Sequence, residues 1–294
     1  MKQAIGIDIG GTKIAIGLVQ EDGTLVHSTE IETPTKSRDA VLSAVVDQVK
    51  QHAHTASAIG IGSAGQIDVN QGIIRSGTDN ITDWNNVPIC EYIQQQTNLP
   101  TYVDNDVHTF LLAEKGAHKN VLALTLGTGI GGAAYIGGQL LSGEWGGASE
   151  FGHMSVNFNG EPCNCGGRGC VEQYASGIGI HKRYLKAGGE ATHAGEIFSR
   201  ALAGEKRATR IIDEAEQALS TAIVSLIHCY NPSHLILGGS VATKQQGFIS
   251  SVMEQVSQRG MSSLVKPVTY HVSQKEYAGV IGAGLLAFER EGKA

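Results

Sequence analysis

Two stretches decide how this chain is read: "AIGIDIGGTKIAIGLV", Ala4 to Val19, and "VLALTLGTGIGGAAYIGGQLL", Val121 to Leu141. Each runs from an apolar, β-rich segment through a glycine turn into a second apolar segment. Glycine lets the backbone approach a ligand closely, so such a turn can offer N–H groups to an anion. The echo predicts two duplicated α/β halves facing a cleft, each led by one strand–turn–strand unit. The 39 glycines concentrate at these turns and at "AIGIGSAGQ", "EWGGASEFGH" and "LILGGSV".

Working outward, alternation predicts strands over 3–9, 13–19 and 25–32, with "EDGT" as a hairpin turn. Helical spacing of Val41, Ala44, Val45 and Val49 predicts a helix over 37–53. Strand "AIGIGSAG", a helix near 88–97, strand "TYVDND" and a helix over 107–117 close the first round. The second adds helices over 175–187, 194–203 and 206–230, strand "HLILGG", a helix over 245–259, strand "PVTYHVS" and a helix over 277–290. The domain expectation is a small α/β domain, 1–117 completed by 277–294, and a large one, 118–276.

At 294 residues the chain can bury a sizeable core. Its net charge of −6 argues against a nucleic-acid surface. No apolar run approaches the ~18 residues of a membrane span, and "MKQAIGIDIGG" lacks the apolar centre of a signal peptide. Five cysteines, three of them crowded, fit a reducing compartment and a metal site better than a disulfide framework. The expectation is a cytoplasmic protein.

Two nucleotide motifs fail on context. Gly6 and Gly11 have the first spacing of a Walker A loop, but Thr12 stands where a lysine is needed. "GTGIGG", Gly127 to Gly132, satisfies G-x-G-x-x-G, yet that fingerprint must open a helix. Here "AAYIGGQLL" breaks at a glycine pair and reads as a hairpin. The segment "EFGHMSVNFNGEPCNCGGRGCVE", Glu150 to Glu172, holds Cys163-x-Cys165-x4-Cys170 with His153 nearby. Cys₃His is a closed tetrahedral set of the structural zinc type.

"DIGGTK", "DND", "LGTGIGG", "EFGH", "CNCGGRGCVE" and "LGGSV" occur in an order and spacing that resembles the ROK family of sugar kinases and repressors over essentially the whole chain. The resemblance implies the actin-like ATPase (hexokinase-type) fold and ATP-dependent phosphorylation of a hexose, with Mg²⁺ and Zn²⁺. On the nucleotide side it implies Asp8, Gly10, Gly11, Thr12 and Lys13 from the first turn, and Gly127, Thr128, Gly129 and Gly131 from the second. Gly238 and Gly239 resemble the family's adenosine-contacting pair. Asp106 corresponds to the catalytic base, with Asp104 as its rival, and Asn105 to a sugar ligand. Val107 and His108 depart from the family pattern after that aspartate. Gly65, Asn80, Glu150, His153 and Glu172 complete the implied sugar site, and His153, Cys163, Cys165 and Cys170 the zinc site. Glu161 reads as solvated surface; Cys90 and Cys229 read as small buried residues.

The resemblance leaves three classes open: a hexose kinase, a sugar-responsive repressor, and a sugar-binding protein without catalysis. A repressor carries a helix-turn-helix ahead of the first turn, which begins here at Asp8; the kinase is therefore the expectation. Glucose is the first substrate and N-acetylmannosamine, or another N-acetylhexosamine, the second. Loops 63–67 and 76–84 are expected to decide between them. The implied partners are small molecules, with neither nucleic acid nor membrane, and a second copy in a homodimer.

Overall fold

The computed structural model describes residues 1–77 and 80–292, which leaves part of the 76–84 loop and the last two residues of the expected first domain outside the described residues. The chain divides into two units. The first comprises Met1–Ala117, Leu141–Ala148 and Lys275–Ala294; the second, His118–Leu140 and Ser149–Gln274.

The first unit holds β1 (Gln3–Ile9), β2 (Lys13–Gln20), β3 (Leu25–Glu32), β4 (Ala58–Ser63), the short β5 (Gln66–Asp68) and β6 (Ile73–Ser76), and β7 (Thr101–Asn105). Its helices are α1 (Arg38–His52), α2 (Ile89–Thr97), α3 (Asp106–Glu114) and, from the chain end, α11 (Ala278–Glu291). The main sheet runs β3-β2-β1-β4-β7, with β1–β2–β3 antiparallel and β1, β4 and β7 parallel. Ile5, Ile7, Ile9, Ile14, Ile16, Ile59 and Ile61 are fully or almost fully buried and pack with Val41, Val45 and Val49 of α1. The opposite face receives α11, and here glycine is required by space. A Cβ on Gly60 would lie 1.7 Å from the Ala283 carbonyl oxygen, and one on Gly6 2.0 Å from that of Val280.

The second unit repeats the plan. Its strands are β8 (Val121–Leu126), β9 (Ile130–Ile136), β10 (Gln139–Leu140), β11 (His234–Gly238) and β12 (Thr269–Val272), in the order β10-β9-β8-β11-β12. Again the first three are antiparallel and β8, β11 and β12 parallel. A 3₁₀ turn, Phe151–His153, precedes α4 (Glu172–Ala175), α5 (Gly177–Lys186), α6 (Ala194–Leu202), α7 (Lys206–Tyr230), α8 (Gly239–Lys244), α9 (Gln246–Gln258) and α10 (Ser262–Val265).

Several expectations change. The helix expected over 175–187 is α5, Gly177–Lys186, which starts after Ser176 because Ser176 leaves the helical conformation and caps it by accepting from Gly179 N–H; the short α4 before it has no expected counterpart. The β5–β6 hairpin, α8 and α10 lack a long periodic pattern and have no counterpart in the sequence reading. Residues 141–148 go with the first unit: a Cβ on Gly146, whose φ is +71°, would meet the Ile67 carbonyl oxygen at 1.6 Å, so only glycine seats this segment on β5. With 141–148 and 275–276 added, the first unit is about as long as the second, not a small domain beside a large one. Cys90 is buried, its thiol pushed up to about 12 by desolvation. Cys229 is exposed, because the end of α7 turns that position to solvent.

Candidate active site

In the first unit the phosphate-type turn joins β1 to β2. Gly10 N–H donates to the Lys13 carbonyl at 3.0 Å, and Thr33 Oγ1 donates to the Gly10 carbonyl at 2.8 Å. Thr12 is exposed, and the side chain of Asn80 lies over Gly11, whose missing Cβ leaves that space. Lys13 is exposed and pairs with Glu30 at 2.7 Å, which holds its ammonium above the usual lysine range.

Asp8, next to last in β1, lines a cavity of about 420 Å³ with Lys13, Glu30, Tyr277 and Gly279. Gly279, in the first turn of α11, has its bare Cα against the Asp8 carboxylate. Burial, then the charge of Asp106, raises Asp8 to about 6. Desolvation also raises Asp106, partly offset by the Val107 N–H. A buried carboxylate whose charge the neighbouring Asp106 disfavours is a place where a cation is welcome, which fits Mg²⁺.

Asp106 is the first residue of α3. Asn105 caps that helix, accepting from Val107 N–H at 2.8 Å, and donates to the Gly65 carbonyl at 3.1 Å. One of its amide hydrogens is thus spent on the loop at Gly65, whose φ of +110° and approach to the Ser76 carbonyl exclude a side chain. Asp104 is 1% exposed; its Oδ1 lies 2.6 Å from His108 Nδ1 and accepts from Asn105 N–H, and its Oδ2 lies 3.4 Å from Arg290. Asp104 is a structural anchor, and the His108 departure is its partner. Arg290, from α11, carries no signal in sequence for this contact.

In the second unit the turn after β8 places Gly127, Thr128 and Gly129 ahead of β9, on which Gly131 lies. Gly177 and Ile178 N–H groups donate to the carbonyls of Gly127 and Thr128, so those carbonyls are spent on α5. A cavity of about 370 Å³ adjoins the turn, with apolar walls of Ile178, Phe198 and Val241 and polar groups at Ser240 and Lys244. Gly238 ends β11, and Gly239, at φ +82°, starts α8 against the Leu126 carbonyl. The pair turns the chain into the cavity wall while Ser240 and Val241 line it.

Glu172 opens α4 and reaches back to the turn: Ile130 N–H donates to its Oε2 at 2.9 Å, and that oxygen fills the space beside Gly129. Sequence spacing hides this link between a sugar-type carboxylate and a phosphate-type turn. Glu150 is exposed and precedes the 3₁₀ turn that carries His153.

His153 Nδ1 lies 3.6 Å from Cys163 Sγ, and Cys165 Sγ lies 3.6 Å from Cys170 Sγ; all four donor atoms fall within 4.8 Å of one another. Zn–S bonds of about 2.3 Å put tetrahedral sulfurs roughly 3.8 Å apart, so the set fits zinc closely. The chemistry agrees. Desolvation and its neighbouring thiols push Cys170 up to about 12, a conflict that a divalent cation removes. Bridges Ser155↔Cys170 and Pro162↔Arg168 fold the segment on itself, and Gln173 Nε2 donates to Cys163 Sγ at 3.4 Å. Glu161 pairs with Lys186 at the surface, as solvated charge does.

The ROK family model matches residues 4–290. The glucokinase of Thermotoga maritima is 35% identical over 98% of each chain. The N-acetylmannosamine kinase of Escherichia coli is 32% identical over 96% of this chain and 97% of its own. A ROK family glucokinase from Streptomyces griseus, solved in complex with glucose and AMPPNP, superposes with a TM-score of 0.76 at 28% identity, over 98% of this chain and 99% of that one.

Proposed function

The chain belongs to the ROK family, with its actin-like ATPase fold, and we propose that it is an ATP-dependent kinase that phosphorylates a hexose hydroxyl, the 6-hydroxyl of glucose first. The observation that carries this reading is Asp106, a buried carboxylate at the start of α3 whose charge is felt by Asp8 beside the first glycine turn. Phosphoryl transfer asks the protein to align the acceptor, take its proton and offset charge. Asp106 takes the proton of the attacking hydroxyl. The oxygen bonds to the γ-phosphorus as the bond to the β–γ bridging oxygen breaks, and ADP leaves.

Asp8 would hold Mg²⁺, which would offset phosphate charge. Gly10, Gly11, Thr12 and Lys13 and, from the second unit, Gly127, Thr128, Gly129 and Gly131 cradle the phosphates; the cavity opened by Gly238 and Gly239 receives the nucleoside. Lys13 must leave Glu30 to do so. Gly65, Asn80, Asn105, Glu150, His153 and Glu172 bind the sugar. Zinc held by His153, Cys163, Cys165 and Cys170 would fix the loop between Glu150 and Glu172; because Nδ1 faces the thiols, Nε2 is the nitrogen left for the sugar.

The N-acetylmannosamine kinase relative favours a second reading, phosphorylation of an N-acetylhexosamine. Coupled ADP release over a panel of hexoses and acetylated hexosamines tests both; turnover is expected with glucose, and no turnover on any sugar defeats the kinase reading. The protein acts on small molecules and pairs as a homodimer, so sedimentation equilibrium should give twice the 30.9 kDa chain mass. Among the described residues no helix is long and apolar enough to cross a membrane.

A further inference from the structure

We infer that Ser149 is a hexose-contacting residue beside Glu150, an inference that rests on the kinase reading. Two separate observations single it out. Its φ is +70°, the left-handed region that glycine favours and serine rarely adopts. Its side chain is also buried, at 7% exposure, and its Oγ has no hydrogen-bond partner. Among the described residues only Arg183 Nη1 shares that condition, and Arg183 is already paired with Glu214 and stacked on Tyr174.

The backbone here is held from outside. Phe151 N–H donates to the Ser149 carbonyl at 2.6 Å, and a Cβ on Gly132 of β9 would come within 2.3 Å of that carbonyl oxygen. The turn is thus seated on β9, and glycine at 149 would satisfy it. A serine adds two costs, a strained conformation and a desolvated hydroxyl, and no protein hydrogen bond offsets the second. Costs of this kind persist where function uses them.

The chemistry of the neighbour says how. An ionised Glu150 only accepts, so a sugar hydroxyl that donates to it keeps lone pairs in need of a donor. Ser149 carries such a donor one residue away. In the sugar complex the Ser149 hydroxyl donates to the hexose oxygen whose proton Glu150 accepts.

Ser149→Ala and Ser149→Gly test this, with calorimetric titration of glucose and of N-acetylmannosamine beside steady-state kinetics. One neutral hydrogen bond corresponds to a loss of roughly 5- to 10-fold in hexose affinity and kcat/KM, expected in both variants. AMPPNP affinity should stay within twofold of the parent. Ser149→Gly should also melt at a higher temperature, which guards against misreading a folding defect. Hexose affinity within twofold of the parent in Ser149→Ala overturns the inference, as does a loss confined to Ser149→Gly, which would point to backbone freedom instead. A parent enzyme that phosphorylates no sugar defeats the kinase reading, a distinct failure.

Discussion

Asp104 and Asp106 sit two residues apart in "DND", and each has a different set of partners. Asp104 meets Asn105, His108 and Arg290 inside the first unit. Asp106 accepts from Val107 N–H at its own helix start, and desolvation raises its carboxyl above the usual range. Asp106→Asn should therefore lower kcat at least ~10²-fold, the low end for losing a general base. It should not lower the melting temperature, because it removes a charge that burial disfavours. Asp104→Asn should do the reverse, since breaking a buried pair costs about 3–5 kcal/mol while the base remains. Paired kinetics and thermal melts decide; normal turnover in Asp106→Asn would transfer the role elsewhere. The motif spelled out Asp106, but nothing local announced Arg290, 186 residues away in sequence. Likewise the φ of Ser149 is invisible in "GGASEF", where the neighbouring glycines draw the eye.

Asp8 makes a second residue-scale case. Its value rises from 3.8 to about 6 in the fold, so the native state binds its proton more tightly than the unfolded chain does. Stability from this group is full below pH 3.8 and is lost as pH rises toward about 6. A Mg²⁺-bearing nucleotide needs the ionised form, so its affinity moves the opposite way and weakens below about pH 6. Melts of the parent and Asp8→Asn between pH 4 and 7 should differ in slope, the variant being flatter. Parallel slopes would mean that the carboxylate is not perturbed.

At the scale of elements, the zinc loop was the most legible part of the chain, because its spacing, Cys-x-Cys-x4-Cys, leaves few other uses for three thiols. The histidine's nitrogen and the support from Gln173 were not, since both depend on how Phe151–His153 and α4 fold back. Cys163→Ser should release zinc, one atom per chain in the parent, and lower the melting temperature. Freed from its anchor, His153 no longer orients its other nitrogen, and disturbing such a ligand commonly costs ~10- to 100-fold in activity. The hexose KM should rise while AMPPNP still binds, because its cavity is lined by Thr128, Ser240, Lys244 and their neighbours. A zinc-free variant with normal hexose kinetics would reduce the loop to a structural clip.

The whole molecule is two copies of one sheet plan, 3-2-1-4-7 and 10-9-8-11-12, and that duplication was readable because each copy begins with a contiguous strand–turn–strand unit. The assignment of 141–148 was not, since it depends on long-range approaches such as those of Gly146 to Ile67 and Gly147 to Gln66. Each unit buries its own core, so damage to one should be separable from the other. Gly60 offers the test. Its Cα faces the Ala283 carbonyl so closely that even a methyl group would stand 1.7 Å from the oxygen. Gly60→Ala must push α11 off the first sheet, opening the face where Ala4, Ala58 and Ala287 pack. Overpacking of this kind costs typically 1–3 kcal/mol and more when backbone is the obstacle. Calorimetry should then resolve an early transition for the first unit, with the second melting near its original temperature. AMPPNP should still raise the later transition, because a ligand stabilises what it binds and the cavity proposed for its nucleoside is lined by residues of the second unit, although its phosphates are proposed to engage the first as well. A single transition that shifts as a whole would show instead that the four chain crossings between the units make them fold as one.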